Sequence, residues 1–270
     1  MQPLFDLSGR VALVTGGYGV LGSAMGAALA RAGARVTVLG RDRVAGEAQA
    51  AALQALGAEA MVVVADVLDE AALQRARAEV LERWGRIDIL LNAAGGNVAR
   101  ARVDPVSMFS VPRDALDDVM KLNFNGTLLP CLVFGEQMAL QGTGCIINVS
   151  SVTVSRMLSG ILGYTAAKSA METATRWLAV ALAKQFGDGL RVNAIAPGFF
   201  LATQNRGLLM NDDGSWTERA RSILAQTPMG RFGRDGELDG AVVFLCSDAA
   251  SYVTGTVLTV DGGFSVASGI

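Results

Sequence analysis

The chain has 270 residues, a net charge of -2, 51% hydrophobic and 18% charged residues, and no histidine. Without histidine there are no His-based triads or His-ligated metals, and no metal centre is expected. A near-neutral chain with no long Lys or Arg run has little electrostatic footing on nucleic acid or an anionic membrane, so neither is an expected partner.

No apolar run approaches the roughly 20 residues that span a bilayer. The start, MQPLFDLSGR, lacks the basic-then-apolar pattern of a secretory leader. Cys131, Cys145 and Cys246 are widely spaced, odd in number and free of any CxxC pair. That usage fits reduced thiols in a cytoplasmic protein.

Short Val-rich runs alternate with Ala-rich helical stretches along the whole chain. Strands are expected at Arg10–Thr15, Arg35–Leu39, Ala60–Ala65, Ile87–Leu91, Cys145–Val149, Arg191–Ile195 and Val257–Val260. Helices are expected at Leu21–Ala32, Val44–Leu56, Glu70–Trp84, near Ala115–Met138, Gly163–Phe186 and near Gly236–Leu245. The strands are continuous apolar runs, the pattern of strands buried on both faces of a parallel sheet. Strand–helix alternation of this length implies βαβ units. The predicted fold is one α/β domain over residues 1–270: a Rossmann-type, doubly wound, parallel seven-stranded sheet with helices on both faces. Two stretches, Gly95–Pro112 and Pro197 to about Trp216, look irregular, and loops this long are usually functional. The second is read as part of a substrate loop or lid over about 197–232.

The first strand runs into glycines and then a helix, TGGYGVLG at Thr15–Gly22. Glycines permit a tight turn and close backbone approach, and the helix start offers free N–H groups to a pyrophosphate. Further on, Tyr164 and Lys168 are spaced i,i+4, which puts them on one helix face. A cation beside a phenol favours the phenolate. Taken alone, the pair is also compatible with a half-buried Tyr and a surface Lys on an amphipathic helix.

TGGYGVLG resembles the TGxxxGxG turn of the short-chain dehydrogenase/reductase family. NAAG at Asn92–Gly95 is similar to its NNAG, and Asn123 to its active-site Asn. Ser151, Tyr164 and Lys168 fall at its Ser, Tyr and Lys spacing. APG at Ala196–Gly198 and VDGG at Val260–Gly263 resemble its later turns. One departure is Val20, which stands where the family usually has its second fingerprint Gly.

The resemblance implies an NAD(P)-dependent oxidoreductase that interconverts a secondary alcohol and a ketone. By resemblance, Tyr164 is the general acid/base. Lys168 holds the nicotinamide ribose and lowers the Tyr pKa. Ser151 binds the substrate oxygen, and Asn123 holds a water in a proton relay. Cofactor contacts are implied at Thr15, Gly16, Tyr18, Gly19, Val20, Leu21 and Gly22 in the first turn. They are also implied at Gly40 and Arg41, Asp66 and Val67, Asn92, Ala93, Ala94 and Gly95, and at Tyr164 and Lys168. Pro197, Gly198, Phe200 and Thr203 complete that set. Ala202 falls where the family often has a Thr, and Thr203 follows it. The family usually forms tetramers, so a homo-oligomer, tetramer or dimer, is expected, with the apolar tail Phe264–Ile270 able to pack on a neighbour.

At the end of the second strand Gly40 replaces an acid and Arg41 follows. Arg suits a phosphate, so NADP(H) is favoured slightly over NAD(H). Asn97, Gln204, Asn205 and Arg206 are substrate candidates, with Ser151 and, at a second position, Arg156. An Arg fork with amides suits a small carboxylated, hydroxylated substrate. AAGGN, APGFFLATQNR, TPMGRFG and VDGGF are similar to a narrower branch, the D-mannonate oxidoreductases or fructuronate reductases. The expected substrate is thus a sugar acid. The alternatives are gluconate, another polyol or a 3-oxoacyl thioester, and more remotely a redox sensor that binds NAD(P) without turnover.

Overall fold

A computed structural model of the chain describes residues 4–103, 107–201 and 206–268. The first half follows the predicted alternation to within two residues: β1 (Val11–Thr15), α1 (Val20–Arg31), β2 (Arg35–Gly40), α2 (Arg43–Ala55), β3 (Ala60–Val64), α3 (Glu70–Trp84) and β4 (Ile89–Asn92). Local chemistry sets several of these limits. Asp42 and Asp69 cap α2 and α3 by accepting from the N–H of Ala45 and Ala72. Their carboxylates satisfy amides that the helix leaves open.

The single helix expected near Ala115–Met138 is instead two, α4 (Arg113–Met120) and α5 (Gly126–Gln141), joined by a wide π turn at Lys121–Asn125. The Asn123 amide donates to the Val119 carbonyl four residues back at 2.9 Å. A side chain thus takes a carbonyl of the helical ladder, a recognised cause of such bulges. The second half continues with β5 (Gly144–Val149), α6 (Leu162–Phe186) and β6 (Leu190–Pro197). Two short helices, α7 (Arg206–Leu209) and α8 (Glu218–Ala225), lie between β6 and α9 (Asp239–Cys246), and β7 (Val257–Val260) closes the sheet. Neither α7 nor α8 was expected from the sequence pattern.

The seven strands are all parallel, in the order β3-β2-β1-β4-β5-β6-β7. Alternate strand residues feed two cores. Ala12, Val14, Ile89, Leu91 and Ile147 join Met25, Leu29, Val242 and Leu245 on one face. Val11, Leu13, Leu90 and Ile146 join Leu73, Phe134, Met138 and Leu178 on the other. Burial on both faces is the reason these strands read as unbroken apolar runs.

The chain reverses direction of winding between β1 and β4. In such sheets the crevice beyond the C-terminal strand ends, at this switch point, is where a ligand sits. Segment 199–233 leaves the sheet and returns to the same place, because Phe200 bridges Gly233 and the Gly233 N–H donates to the Phe199 carbonyl at 2.9 Å. It carries its own small core of Leu209, Ala220, Ile223 and Phe232. Among the described residues, no helix is long and apolar enough to cross a membrane, and no cluster of three metal-ligating side chains occurs.

At the opposite end of the sheet, the buried Asp88 carboxylate accepts from the Val11 N–H at 2.8 Å and from Arg86 Nε at 2.8 Å. Asp88→Ala strands the buried Val11 N–H, while the half-exposed Arg86 stays solvated, and should cost about 1–3 kcal/mol. Asp88→Asn, which keeps an acceptor, should cost less. Guanidinium unfolding of both variants is the measurement, and equal losses would contradict the account.

Candidate active site

The first turn leaves β1 at Thr15 and enters α1 at Val20. Gly16 has φ +60°, and a Cβ there would lie 2.8 Å from the Ala94 Cα. Only glycine lets the β1 and β4 turns touch in this way. Gly19 is the N-cap of α1 and makes no side-chain capping bond. The first-turn amides therefore keep their donors and the positive end of the helix for an anion. Val20 opens α1 rather than interrupting it, and it lines the crevice beside Gly19, Leu21 and Gly22. The departure from the fingerprint thus leaves the helix start intact. An uncapped helix end with no intruding side chain fits a dinucleotide pyrophosphate.

That crevice has a volume of about 250 Å3 and extends over Ala93, Gly95, Gly96, Ser150, Ser151, Tyr164, Lys168, Pro197 and Gly198. Its parts are tied together. The Ala94 N–H donates to the Thr15 hydroxyl at 3.2 Å, and the Gly198 N–H to the Val260 carbonyl at 2.9 Å. Asn92 donates to Asn148 Oδ1 at 2.9 Å, which joins β4 to β5 beneath the site. Asp66 and Val67 follow β3. Asp66 accepts from the Leu68 N–H at 2.9 Å, and Val67 is buried against Gly126.

Tyr164 and Lys168 lie on the first turns of α6, facing the end of β5. Lys168 is buried, its Nζ donates to the Val149 carbonyl at 2.7 Å, and it stands 5.7 Å from the Tyr164 ring centre. Burial lowers its pKa to about 8. The Tyr164 phenol is pushed up by burial, and its hydrogen bond with Ser151 opposes the rise. The expected lowering of the Tyr164 pKa by Lys168 is therefore not the balance found here: desolvation outweighs the Ser151 hydrogen bond, and the ammonium donates to the Val149 carbonyl instead of the phenol. Asn123 is fully buried. Its Nδ2 donates to the Gly96 carbonyl at 2.7 Å and its Oδ1 accepts from the Gly96 N–H at 2.9 Å. Its side chain is thus committed to the turn after β4. A Cβ on Gly95 would meet Asn123 Oδ1 at 2.9 Å and Lys168 Nζ at 3.3 Å, so both groups sit over that glycine.

Of the described substrate candidates, Ser151 lines the crevice, and Asn97, Arg156 and Arg206 do not. Asn97 is exposed in the turn after β4, and Arg206 is exposed at the start of α7. Gln204 and Asn205 lie outside the described residues, as do Ala202 and Thr203. Arg156 is already occupied. It donates to the Phe264 carbonyl and to Gln226 Oε1, both at 2.7 Å, and stacks 4.6 Å from the Phe264 ring centre. It is thus a clamp on the end of α8 and the tail, and not a free anion receptor. Phe264 is buried against Phe199 of its own chain, with ring centres 5.1 Å apart, so the tail begins by packing inward.

Sequence reasoning passed over Glu172. It is buried on α6, accepts from the Ser150 hydroxyl at 2.6 Å, and pairs with Arg176 at 3.0 Å. The signal was available, because Tyr164, Lys168 and Glu172 form one i,i+4 polar stripe on an otherwise apolar face.

Unfolded, Lys168 titrates near its ordinary 10.5, and folded it titrates at about 8. Between those values the unfolded chain binds the extra proton, so stability rises with pH across that window and is flat below it. Wild type should gain about 3 kcal/mol between pH 8 and 10.5 that Lys168→Met does not gain. Parallel denaturant unfolding of the two proteins over that range checks this, and identical slopes would contradict it.

The family model described as Enoyl-(Acyl carrier protein) reductase matches residues 19–265. An uncharacterized oxidoreductase of Bacillus subtilis is 41% identical, with 100% of each chain covered. A solved Haemophilus protein assigned as a D-mannonate oxidoreductase, with bound NAD, superposes with a TM-score of 0.92 at 37% identity over 98% of each chain. A gluconate 5-dehydrogenase of Burkholderia cenocepacia, solved with NADP and tartrate, gives 0.84 at 33% identity over 97% of each. The chain belongs to the short-chain dehydrogenase/reductase family and is an NAD(P)-dependent oxidoreductase acting on CH–OH groups.

Proposed function

We propose that the protein oxidises and re-forms a secondary alcohol on a small sugar acid of the D-mannonate/D-fructuronate type. The observation that carries the chemistry is the convergence of Ser151, Tyr164 and Lys168 on one crevice beside the uncapped end of α1. When bound, the nicotinamide dinucleotide supplies or accepts the hydride. Thr15 to Gly22, Asn92 to Gly95, Asp66 and Val67 would hold its phosphates and adenine half, and Pro197 and Gly198 its nicotinamide end.

The remaining steps belong to side chains. Ser151 donates to the substrate oxygen and stabilises charge as it develops there. Tyr164 gives a proton to that oxygen in reduction and takes it in oxidation. The high pKa of its phenol in the free protein suits a proton donor. An added positive charge nearby would pull the pKa down toward the value a base needs. Lys168 fixes the position of that charge. Asn123 holds the Gly96 turn against Lys168, so its part is to shape the floor of the proton path.

The sugar-acid assignment is supported by the similarity to the D-mannonate oxidoreductase-like and gluconate-dehydrogenase structures, and by the exposed Arg206 at the lid. Segment 199–233, closed on itself by the Phe200–Gly233 bridge, is the substrate lid. We place the active form in a homo-oligomer. The choice of dinucleotide turns on the tip of β2. There the charge of Arg41 argues for NADP(H), and its surroundings argue against it.

Tyr164→Phe should lower kcat by roughly two to four orders of magnitude while dinucleotide binding changes little. Retained turnover would overturn the role of the phenol. On a panel of hexonates, polyols and 3-oxoacyl thioesters, followed by nicotinamide absorbance with both cofactors, a hexonate should give the highest kcat/KM by at least about tenfold, the step worth 1.4 kcal/mol. A higher value for an acyl thioester would replace this reading.

A further inference from the structure

The Tyr18 side chain lies across the tip of β2. Its hydroxyl oxygen accepts from the Arg41 N–H at 3.0 Å and from the Asp42 N–H at 3.1 Å. Its ring covers Gly40 so closely that a Cβ there would fall 2.8 Å from the phenol oxygen, and nearer still to the ring. Gly40 is therefore the seat of an aromatic ring as well as the end of a strand. Successive backbone N–H groups at such a tip form a concave anion site. This tip is also where the adenosine ribose of a dinucleotide is read, by an acid for a 2′-hydroxyl or an arginine for a 2′-phosphate.

The backbone donors that a 2′-phosphate would use here are already engaged. The Arg41 and Asp42 amides are on Tyr18. The Ala45 amide, at the start of α2, is on the Asp42 carboxylate at 3.1 Å. The Arg41 guanidinium leans toward Asp66, 3.8 Å away. A phosphate arriving at this point must displace the phenol and sit between two carboxylates, where like charge disfavours it. A ribose hydroxyl needs none of those donors. It can accept the one proton that the Tyr18 hydroxyl still has to give, since a phenol donates once and accepts with its lone pairs.

We propose that Tyr18 sets cofactor preference in this chain, capping the amides of the β2 tip so that NAD(H) is bound in preference to NADP(H). The inference rests on the dinucleotide reading of the site but not on the identity of the substrate.

Titration calorimetry with NAD+ and NADP+ on the intact protein tests it without any substrate. Wild type should bind NAD+ at least tenfold more tightly. Tyr18→Ser, which opens the tip and frees both amides, should narrow the ratio at least tenfold, mainly through tighter NADP+ binding. Tyr18→Phe keeps the ring on Gly40 and removes the acceptor. It should loosen NAD+ severalfold and guards against a folding defect in the smaller variant. Equal or tighter NADP+ binding by wild type would overturn the proposal, and so would an unchanged ratio in Tyr18→Ser. Failure of wild type to bind either dinucleotide would overturn the cofactor reading with it.

Discussion

The site depends on a buried ammonium held by one carbonyl. Lys168 sits at the first turns of α6 and donates to the Val149 oxygen at 2.7 Å. That bond locks the helix to the last residue of β5. Two other side chains of the crevice are indexed to that junction. Ser151 lies two residues beyond Val149, and Tyr164 lies one helical turn before Lys168. Burial opposes the charge, as the lowered pKa of about 8 records. A buried cation with so few partners is destabilising, and active sites are where such strain is retained because function needs it.

The same economy extends along α6. Glu172, the next residue on the stripe, takes the Ser150 hydroxyl, and Thr175 accepts from Asn148 at 2.9 Å. Asn148 in turn accepts from Asn92 at the end of β4. One helix face thus satisfies the polar groups at the tip of β5 and, through Asn148, reaches the tip of β4. Buried networks of this kind hold one geometry strongly because a half-satisfied member is costly.

The sheet was legible in the sequence because both faces of each strand are buried, and a short unbroken apolar run between turn residues is what such burial demands. That Ser151, Tyr164 and Lys168 share one crevice was legible because an i,i+4 pair and a strand end are local features. What stayed hidden was set by contacts between distant segments. The break at Lys121–Asn125 comes from a side chain taking a ladder carbonyl, which residue type alone does not announce. Arg156 read as an anion receptor because its partners, Gln226 and Phe264, are seventy and more residues away. The surroundings of Arg41 were hidden in the same way, because Asp66 and Tyr18 meet it only in the folded chain.

Arg156 also shows how distant segments around the crevice are connected. It stands five residues after Ser151, on a short turn whose amides bond back to Val152. Its fork reaches the end of α8 on one side and the tail carbonyl of Phe264 on the other. Phe264 in turn stacks on Phe199, where the lid leaves the sheet. The turn after Ser151, the start of segment 199–233 and the start of the tail are therefore one packed unit. A rigid guanidinium suits this post, because its planar donors serve both acceptors at once while its face covers the ring. Lysine could supply the charge but not both geometries. The lid itself keeps a separate core around Phe232 and Trp216. Its body thus packs on itself, while its foot stays fixed through Phe264 and Arg156 to the turn that follows β5.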